Sequence, residues 1–198
     1  MKKLIIASTN AGKIAEIIQI IKELNFEQFE VQSISNYNIP EPDEPYDDFL
    51  SNATHKAKYY GKALNQLTLS DDSGLCIEAL NGFPGIKTKD FMLEFGGYES
   101  AYAELERMLM DHQNKKAYFQ TAMALYCPIE DKLLSSEDNE WGIISFPARG
   151  TNGFGFDPVF IPNGYDKTMA ELGPIIKNKI SHRAKSLKNL IQRYQLSL

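Results

Sequence analysis

The opening of the chain constrains its fold more than any other stretch. Leu4-Ile5-Ile6-Ala7 is a short apolar run and reads as a buried strand. The polar segment Ser8-Thr9-Asn10-Ala11-Gly12-Lys13 follows. Ile14, Ile17, Ile18, Ile21 and Leu24 then recur at helical spacing, which predicts an amphipathic helix over residues 13–24. A strand, a short loop and an amphipathic helix in succession are the beginning of an α/β chain. The junction also sets residues 8–12 at a helix N-terminus, where free backbone N–H groups favour an anion.

The remaining pattern extends this reading. Asn36 to Pro45 holds three prolines and reads as an irregular loop. A second helix is expected from Asp47 or Asp48 to about Leu64, with Asn52 and Lys56 four apart on one face. Leu67-Thr68-Leu69 and Leu75-Cys76-Ile77 read as two strands flanking an acidic turn, and Asn81-Gly82-Phe83-Pro84-Gly85 as a further turn. Tyr98 to His112 reads as a helix and Ala117 to Cys127 as a long buried strand, with two shorter strands at 132–134 and 141–146. Thr168 and Glu171 have capping-box spacing. Ser181 suits the N-cap of a last helix whose apolar positions are Ala184, Leu187, Leu190, Ile191 and Tyr194. Met108, Met110 and Met123 are expected in the core, and His55 and His112 on helices in structural roles. The expected fold is α/β, a mixed, elongated sheet with flanking helices. Residues 1–198 would form one domain of two lobes around a central cleft.

Composition narrows the function classes. A content of 43% apolar and 24% charged residues is ordinary for a globular protein. The net charge of −5 argues against a nucleic-acid or anionic-membrane partner, since binding a phosphate backbone needs a basic face. It leaves room for a small polyphosphate held by a few local cations and a divalent metal. No apolar stretch approaches the roughly 18 residues of a membrane span, and residues 4–7 are too few for a signal core. Cys76 and Cys127 lack zinc-ligand spacing and read as buried free thiols, so the expected location is the cytoplasm.

Three polar clusters abut apolar segments and carry the chemistry. Ser8 to Lys13 resembles a phosphate loop without being a Walker A sequence, since the first glycine is missing and Ile14 stands where a magnesium-binding hydroxyl would be. Asp71-Asp72 is costly beside apolar strands unless a cation binds there, and two carboxylates before Ser73-Gly74 suit a hard divalent ion. Glu41, Asp43 or Glu44 from the Pro-rich loop would add a further ligand. Gly150 to Pro158, with three glycines and two phenylalanines, can present a ring to a base. His182 and Arg183 place cations at a helix N-terminus, against its dipole, which suits an anionic or electron-rich partner.

Taken in order and spacing, these segments resemble the inosine triphosphate pyrophosphatase family, whose members hydrolyse ITP, dITP and XTP to monophosphate and pyrophosphate. The resemblance runs from Leu4 to about Leu187. It covers residues 8–13, Phe49…Asn52-Ala53…Lys56-Ala57, Asp71-Asp72-Ser73-Gly74-Leu75, Leu80 to Gly85, Arg149 to Pro158, Thr168…Ala170-Glu171-Leu172 and Ile180 to Ala184. It implies Mg²⁺ dependence and a homodimer. It assigns triphosphate contacts to Ser8, Thr9, Asn10, Ala11, Gly12, Lys13 and Lys56, and metal and base roles to Asp72. It gives nucleoside contacts to Ser73, Phe154, Gly155, Phe156, Asp157, Lys177, His182 and Arg183. A second metal-binding carboxylate falls on Asp43, with Glu44 and Glu41 as rivals. Two departures stand out. Phe156 keeps the ring but lacks the hydroxyl of a Tyr often found there, and Ile86-Lys87-Thr88-Lys89 replaces a Tyr-Ser-Ala-Arg stretch, retaining charge without a planar fork.

The expected function is therefore Mg²⁺-dependent hydrolysis of deaminated purine nucleoside triphosphates to monophosphate and pyrophosphate. The expected catalytic residues are Asp72, Lys13 and Lys56. Two alternatives compete with this reading: a Maf-like pyrophosphatase on other modified bases, which the Ser181-His182-Arg183 cluster disfavours, and a non-catalytic nucleotide sensor, which the intact carboxylate pair disfavours.

Overall fold

The computed structural model describes residues 2–26 and 28–196. Six strands form one mixed sheet in the order β2-β1-β3-β4-β5-β6. They are β1 (Lys2–Ile6), β2 (Phe29–Ser33), β3 (Leu67–Ile77), β4 (Lys116–Cys127), β5 (Lys132–Ile144) and β6 (Phe160–Pro162). The helices are α1 (Ala11–Glu23), α2 (Phe49–Leu64), α3 (Thr88–Glu94), α4 (Tyr98–Met108), α5 (Met169–Ile180) and α6 (His182–Gln195). β1 pairs in parallel with β2 and β3, whereas β5 and β6 pair antiparallel. The α/β expectation and the mixed sheet with flanking helices are borne out.

The chain divides into two compact units. The first comprises Met1–Asp72, Thr121–Asp138 and Arg183–Leu198; the second comprises Ser73–Gln120 and Asn139–His182. In the first unit, Ile17, Ile20 and Ile21 of α1 and Leu187, Leu190 and Ile191 of α6 pack with Leu4, Ile6 and Leu69 of the strands. Ile5, Ala7, Ile34 and Tyr60 form a separate cluster that includes α2. The alternation along β1 is the period-2 signature of a strand covered on both faces. In the second unit, Leu75, Ile77, Phe119, Phe156, Val159 and Phe160 pack with Phe91 of α3 and Ala101, Tyr102 and Leu105 of α4.

Local signals explain several helix ends. Asn10 caps α1 by accepting the Lys13 N–H, and Asp48 caps α2 by accepting the Ser51 N–H at 2.7 Å. α2 ends at Asn65, whose φ of 50° is the left-handed conformation that stops a helix. Thr168 and Glu171 form the expected capping box on α5, and Gly173-Pro174 then kinks that helix.

Several expectations need correction. The acidic segment is no turn: β3 runs unbroken from Leu67 to Ile77 through both aspartates. The two short strands at 132–134 and 141–146 are one strand, β5. The helix expected to reach His112 ends at Met108, so His112 lies beyond it, and Met110 is exposed at 73%. Cys76 is buried, but Cys127 is only half-buried. β2, α3 and β6 were not anticipated.

Candidate active site

The continuity of β3 decides how the carboxylate pair works. Successive side chains of a strand point to opposite faces, so Asp71 and Asp72 face different helices. Asp71 shares its face with Leu69, which packs in the α1/α6 cluster. Its Oδ2 receives the Lys13 ammonium of α1 at 3.0 Å and Nη2 of Arg183 in α6 at 3.4 Å. Asp72 shares its face with Ser70, whose hydroxyl donates to the Ala53 carbonyl of α2. Asp72 Oδ1 lies 3.5 Å from the Lys56 ammonium of α2, and the same ammonium is ion-paired with Glu44.

Burial sharpens the electrostatics. Asp71 is 2% exposed, and burial alone would raise its pKa; Lys13, Arg183 and Lys56 reverse this and hold it well below the usual carboxylate range. At Asp72, burial wins over Lys56 and Lys13, with Glu44 and Asp71 pushing the same way as burial, and the pKa is raised. Burial opposes charge on Lys56, but Asp72, Glu44 and Asp71 outweigh it and raise its pKa. The pair is thus one firmly ionised carboxylate and one inclined to take up a proton.

The phosphate-loop candidate takes the expected place. Ser8 to Asn10 lead from β1 into α1, and Gly12 and Lys13 lie in its first turn, which carries no acidic residue. Ser8 Oγ accepts the Asn10 N–H at 3.2 Å, and its carbonyl accepts the Ser33 hydroxyl at 3.1 Å. Thr9, Asn10 and Ala11 are exposed. Glu16, which the sequence reading did not single out, pairs with Arg183 Nη1 at 2.5 Å. Its position three residues after Lys13, on the same helix face, is the only sequence signal for it.

Of the candidate second carboxylates, Glu44 is ion-paired with Lys56; Glu41, Asp43 and Glu44 are all exposed. Among the described residues no group of three or more His, Cys, Asp or Glu side chains forms a metal site by itself. Asn52, on the face of α2 shared with Lys56, fixes the loop after Glu44: its amide donates to the Tyr46 carbonyl at 3.0 Å and accepts the Tyr46 N–H at 3.1 Å.

The second unit gathers another set. Asp157, 3% exposed, is ion-paired with the buried Lys177 of α5 and accepts the Phe154 N–H at 2.9 Å through the same Oδ2. The Lys177 ammonium sits 4.4 Å from the Phe154 ring centroid, a cation–π distance. Phe154 is half-buried, whereas Phe156 is 2% exposed and belongs to the core. His182, 5% exposed, stacks on Phe119 with centroids 5.1 Å apart and planes at 17°. Ser73 is half-buried on β3 beside Gly74. Gly74 does not make a turn: a Cβ there would lie 2.1 Å from the Gly85 carbonyl oxygen and 2.6 Å from Thr88 Oγ1. That hydroxyl accepts the Leu75 N–H at 2.9 Å and donates to the Gly85 carbonyl at 2.6 Å, tying residues 85–88 to β3. Lys87 and Lys89 are exposed.

Comparisons with known proteins fit this arrangement. The sequence model of the Ham1 family matches residues 4–193. The chain is 38% identical to a dITP/XTP pyrophosphatase of Aquifex aeolicus (strain VF5), over 96% of this chain and 95% of that protein. It is 33% identical to a dITP/XTP pyrophosphatase of Zymomonas mobilis, over 96% of this chain and 90% of that one. Among solved structures, a HAM1 protein from Coxiella burnetii superimposes with a TM-score of 0.87 at 30% identity, covering 98% of this chain and 99% of that chain. The Staphylococcus aureus Ham1 protein does so with a TM-score of 0.84 at 32% identity, covering 99% of both.

Proposed function

The chain belongs to the Ham1 family, and from that premise we propose that it is a Mg²⁺-dependent pyrophosphatase of deaminated purine nucleoside triphosphates. The relatives named dITP/XTP pyrophosphatase support the reaction class. The observation that carries the proposal is the division of labour across β3. Asp71 anchors Lys13, and Asp72 stands with Glu44 at Lys56. Two cations, one of them in the first turn of α1, and a carboxylate pair on β3 suit a triphosphate and its metal.

The donor set fits magnesium. Mg²⁺ keeps several waters and is commonly held by one or two carboxylates plus substrate phosphates, so Asp72 and Glu44, already converging on one ammonium, suffice. When bound, the ion supplies charge neutralisation and a more acidic water. The Asp72 carboxylate accepts a proton from the water that attacks the α-phosphorus. The bond from the α-phosphorus to the bridging oxygen breaks, giving a nucleoside monophosphate and pyrophosphate. Lys13 and Lys56 stabilise the charge that accumulates on the leaving phosphates. In this reading Arg183 acts behind Asp71, whose position sets Lys13. Phe154, Lys177, Asp157 and His182 are the candidates for the base. The same reading makes a cytoplasmic homodimer the expected assembly.

The decisive assay is the product spectrum. ITP, dITP or XTP with Mg²⁺ should yield monophosphate and pyrophosphate, and chelation of the metal should abolish turnover. A donor-rich base site favours the C6 carbonyl of hypoxanthine and xanthine over the adenine amino group, so ITP and XTP should exceed ATP in kcat/KM by about 10²-fold. Accumulation of diphosphate and inorganic phosphate would rule the proposal out.

Lys13 gives a separate check. Lys13→Ala should weaken ITP binding by about 1.5–3 kcal/mol, the worth of a charge-assisted contact, and weaken IMP binding far less. Equal losses measured by calorimetry would move Lys13 away from the outer phosphates.

A further inference from the structure

The loop that holds Phe154 is braced from two sides. From α5, Lys177 reaches Asp157 and Asn152 Nδ2 donates to the Ala170 carbonyl at 3.1 Å. Gly150, at φ +85°, lies so close to α5 that a Cβ would meet the Ala170 carbonyl carbon at 2.6 Å. From α4, the Tyr102 hydroxyl reaches the loop and donates to the Gly155 carbonyl at 2.5 Å. The ring of Tyr102 meets Phe156 edge-on with centroids 5.7 Å apart, and Tyr98 does the same at 5.6 Å. Tyr98 and Tyr102 stack on each other at 6.2 Å. Phe156 is therefore a buried peg, and Gly155, one residue before it, is latched by a hydroxyl.

The latch is well made. Tyr102 is 8% exposed as a residue, and its bond to the Gly155 carbonyl is partly buried. Burial, followed by the negative charges of Glu99 and Asp157 and the neighbouring Tyr98, raises its pKa, which keeps it a donor through the neutral range. Gly155 has φ +66°, a conformation that a loop explores readily unless something fixes it. Phe154 precedes this glycine, and its ring lies under the Lys177 ammonium.

We propose that Tyr102 is a positioning residue for base recognition: its hydroxyl, bonded to the Gly155 carbonyl, fixes the loop that carries Phe154, so that this ring and the neighbouring Lys177 are held in place to meet a purine. This rests on the base role given above to Phe154 and Lys177. Tyr102 touches no substrate; it acts through the backbone of the loop.

The test is Tyr102→Phe, which keeps the ring packing and removes only the donor. KM for ITP should rise about tenfold, as expected for one lost buried hydrogen bond, with kcat within twofold of the parent. Affinity for IMP should fall by the same factor, while affinity for pyrophosphate, which has no base, should not change. Independently of ligand, hydrogen exchange of the 153–157 amides should accelerate while that of α5 stays constant. Unchanged exchange, IMP affinity within twofold of the parent, or an equal loss for pyrophosphate would each overturn the proposal. Phe154→Ala separates the two readings. If it leaves IMP affinity intact, the base role itself fails; if it weakens IMP while Tyr102→Phe does not, the latch alone fails.

Discussion

Asp72→Asn is expected to lower kcat by about 10²-fold or more while leaving the fold intact, because it removes the charge that the proposed mechanism uses for metal binding and proton acceptance without changing shape. The stability half follows from the two faces of β3. Burial raises the Asp72 pKa, and Glu44 and Asp71 add to that against Lys56 and Lys13, so its negative charge is held at a cost. The substitution leaves Lys56 with its ion pair to Glu44 and leaves Asp71 with Lys13 and Arg183 on the opposite face. No buried cation is stranded. Thermal melting should therefore be unchanged or slightly raised, and steady-state hydrolysis of ITP should collapse. Activity within about threefold of the parent would remove Asp72 from the centre of the reaction.

That prediction depends on a feature the sequence reading missed, and the reason is physical. Aspartate is depleted in strands, and Ser-Asp-Asp-Ser-Gly has the composition of a turn. What holds the segment extended is its place in the sheet between β1 and β4, and its carboxylates meet cations far away in sequence: Arg183, 112 residues after Asp71, and Lys56, 16 before Asp72. A local window contains none of these partners. The same limit hid the continuity of β5, whose middle, Ser135 to Asn139, is polar and only partly covered. Met110 looked like core by residue type, yet it follows the end of α4 and faces solvent.

By contrast, what local chemistry determines was legible. The isoleucine spacing predicts α1, the start of α2 is expected at Asp47 or Asp48 and its cap is Asp48, and Thr168 with Glu171 marks the start of α5. The candidate site divides along the same line. Lys13, Lys56 and Asp72 each belong to a short motif visible in the sequence, and the structure pairs the two lysines with Asp71 and Asp72, whereas Glu16 and Tyr102 are joined to distant segments through single contacts. The tyrosine–Gly155 bond spans 53 residues, and nothing around Tyr102 in the sequence announces it.

The largest loss of stability is expected at Arg183. Its guanidinium is 2% exposed and bridges Glu16 at 2.5 Å and Asp71 at 3.4 Å. Burial works against its charge, but Glu16 and Asp71 more than compensate and raise its pKa. Arg183→Ala would leave these two carboxylates without the cation that joins them, and breaking a buried pair from one side costs about 3–5 kcal/mol. At this chain length that is a fall in Tm of about 10 °C. Arg183→Lys should recover only part, since a single ammonium does not span two carboxylates as a planar fork does. Adding Glu16→Gln to Arg183→Ala should cost less than the sum of the separate effects, because the second change relieves the first. Denaturant unfolding of the four proteins closes the cycle, and strict additivity would refute the coupling. Function should follow the same route. With Asp71 less firmly held, Lys13 loses its fixed partner, so ITP and ATP hydrolysis should decline together and pyrophosphate affinity should weaken. A narrowed ITP/ATP ratio with pyrophosphate affinity intact would instead show that Arg183 reads the base directly and that its place behind Asp71 is secondary.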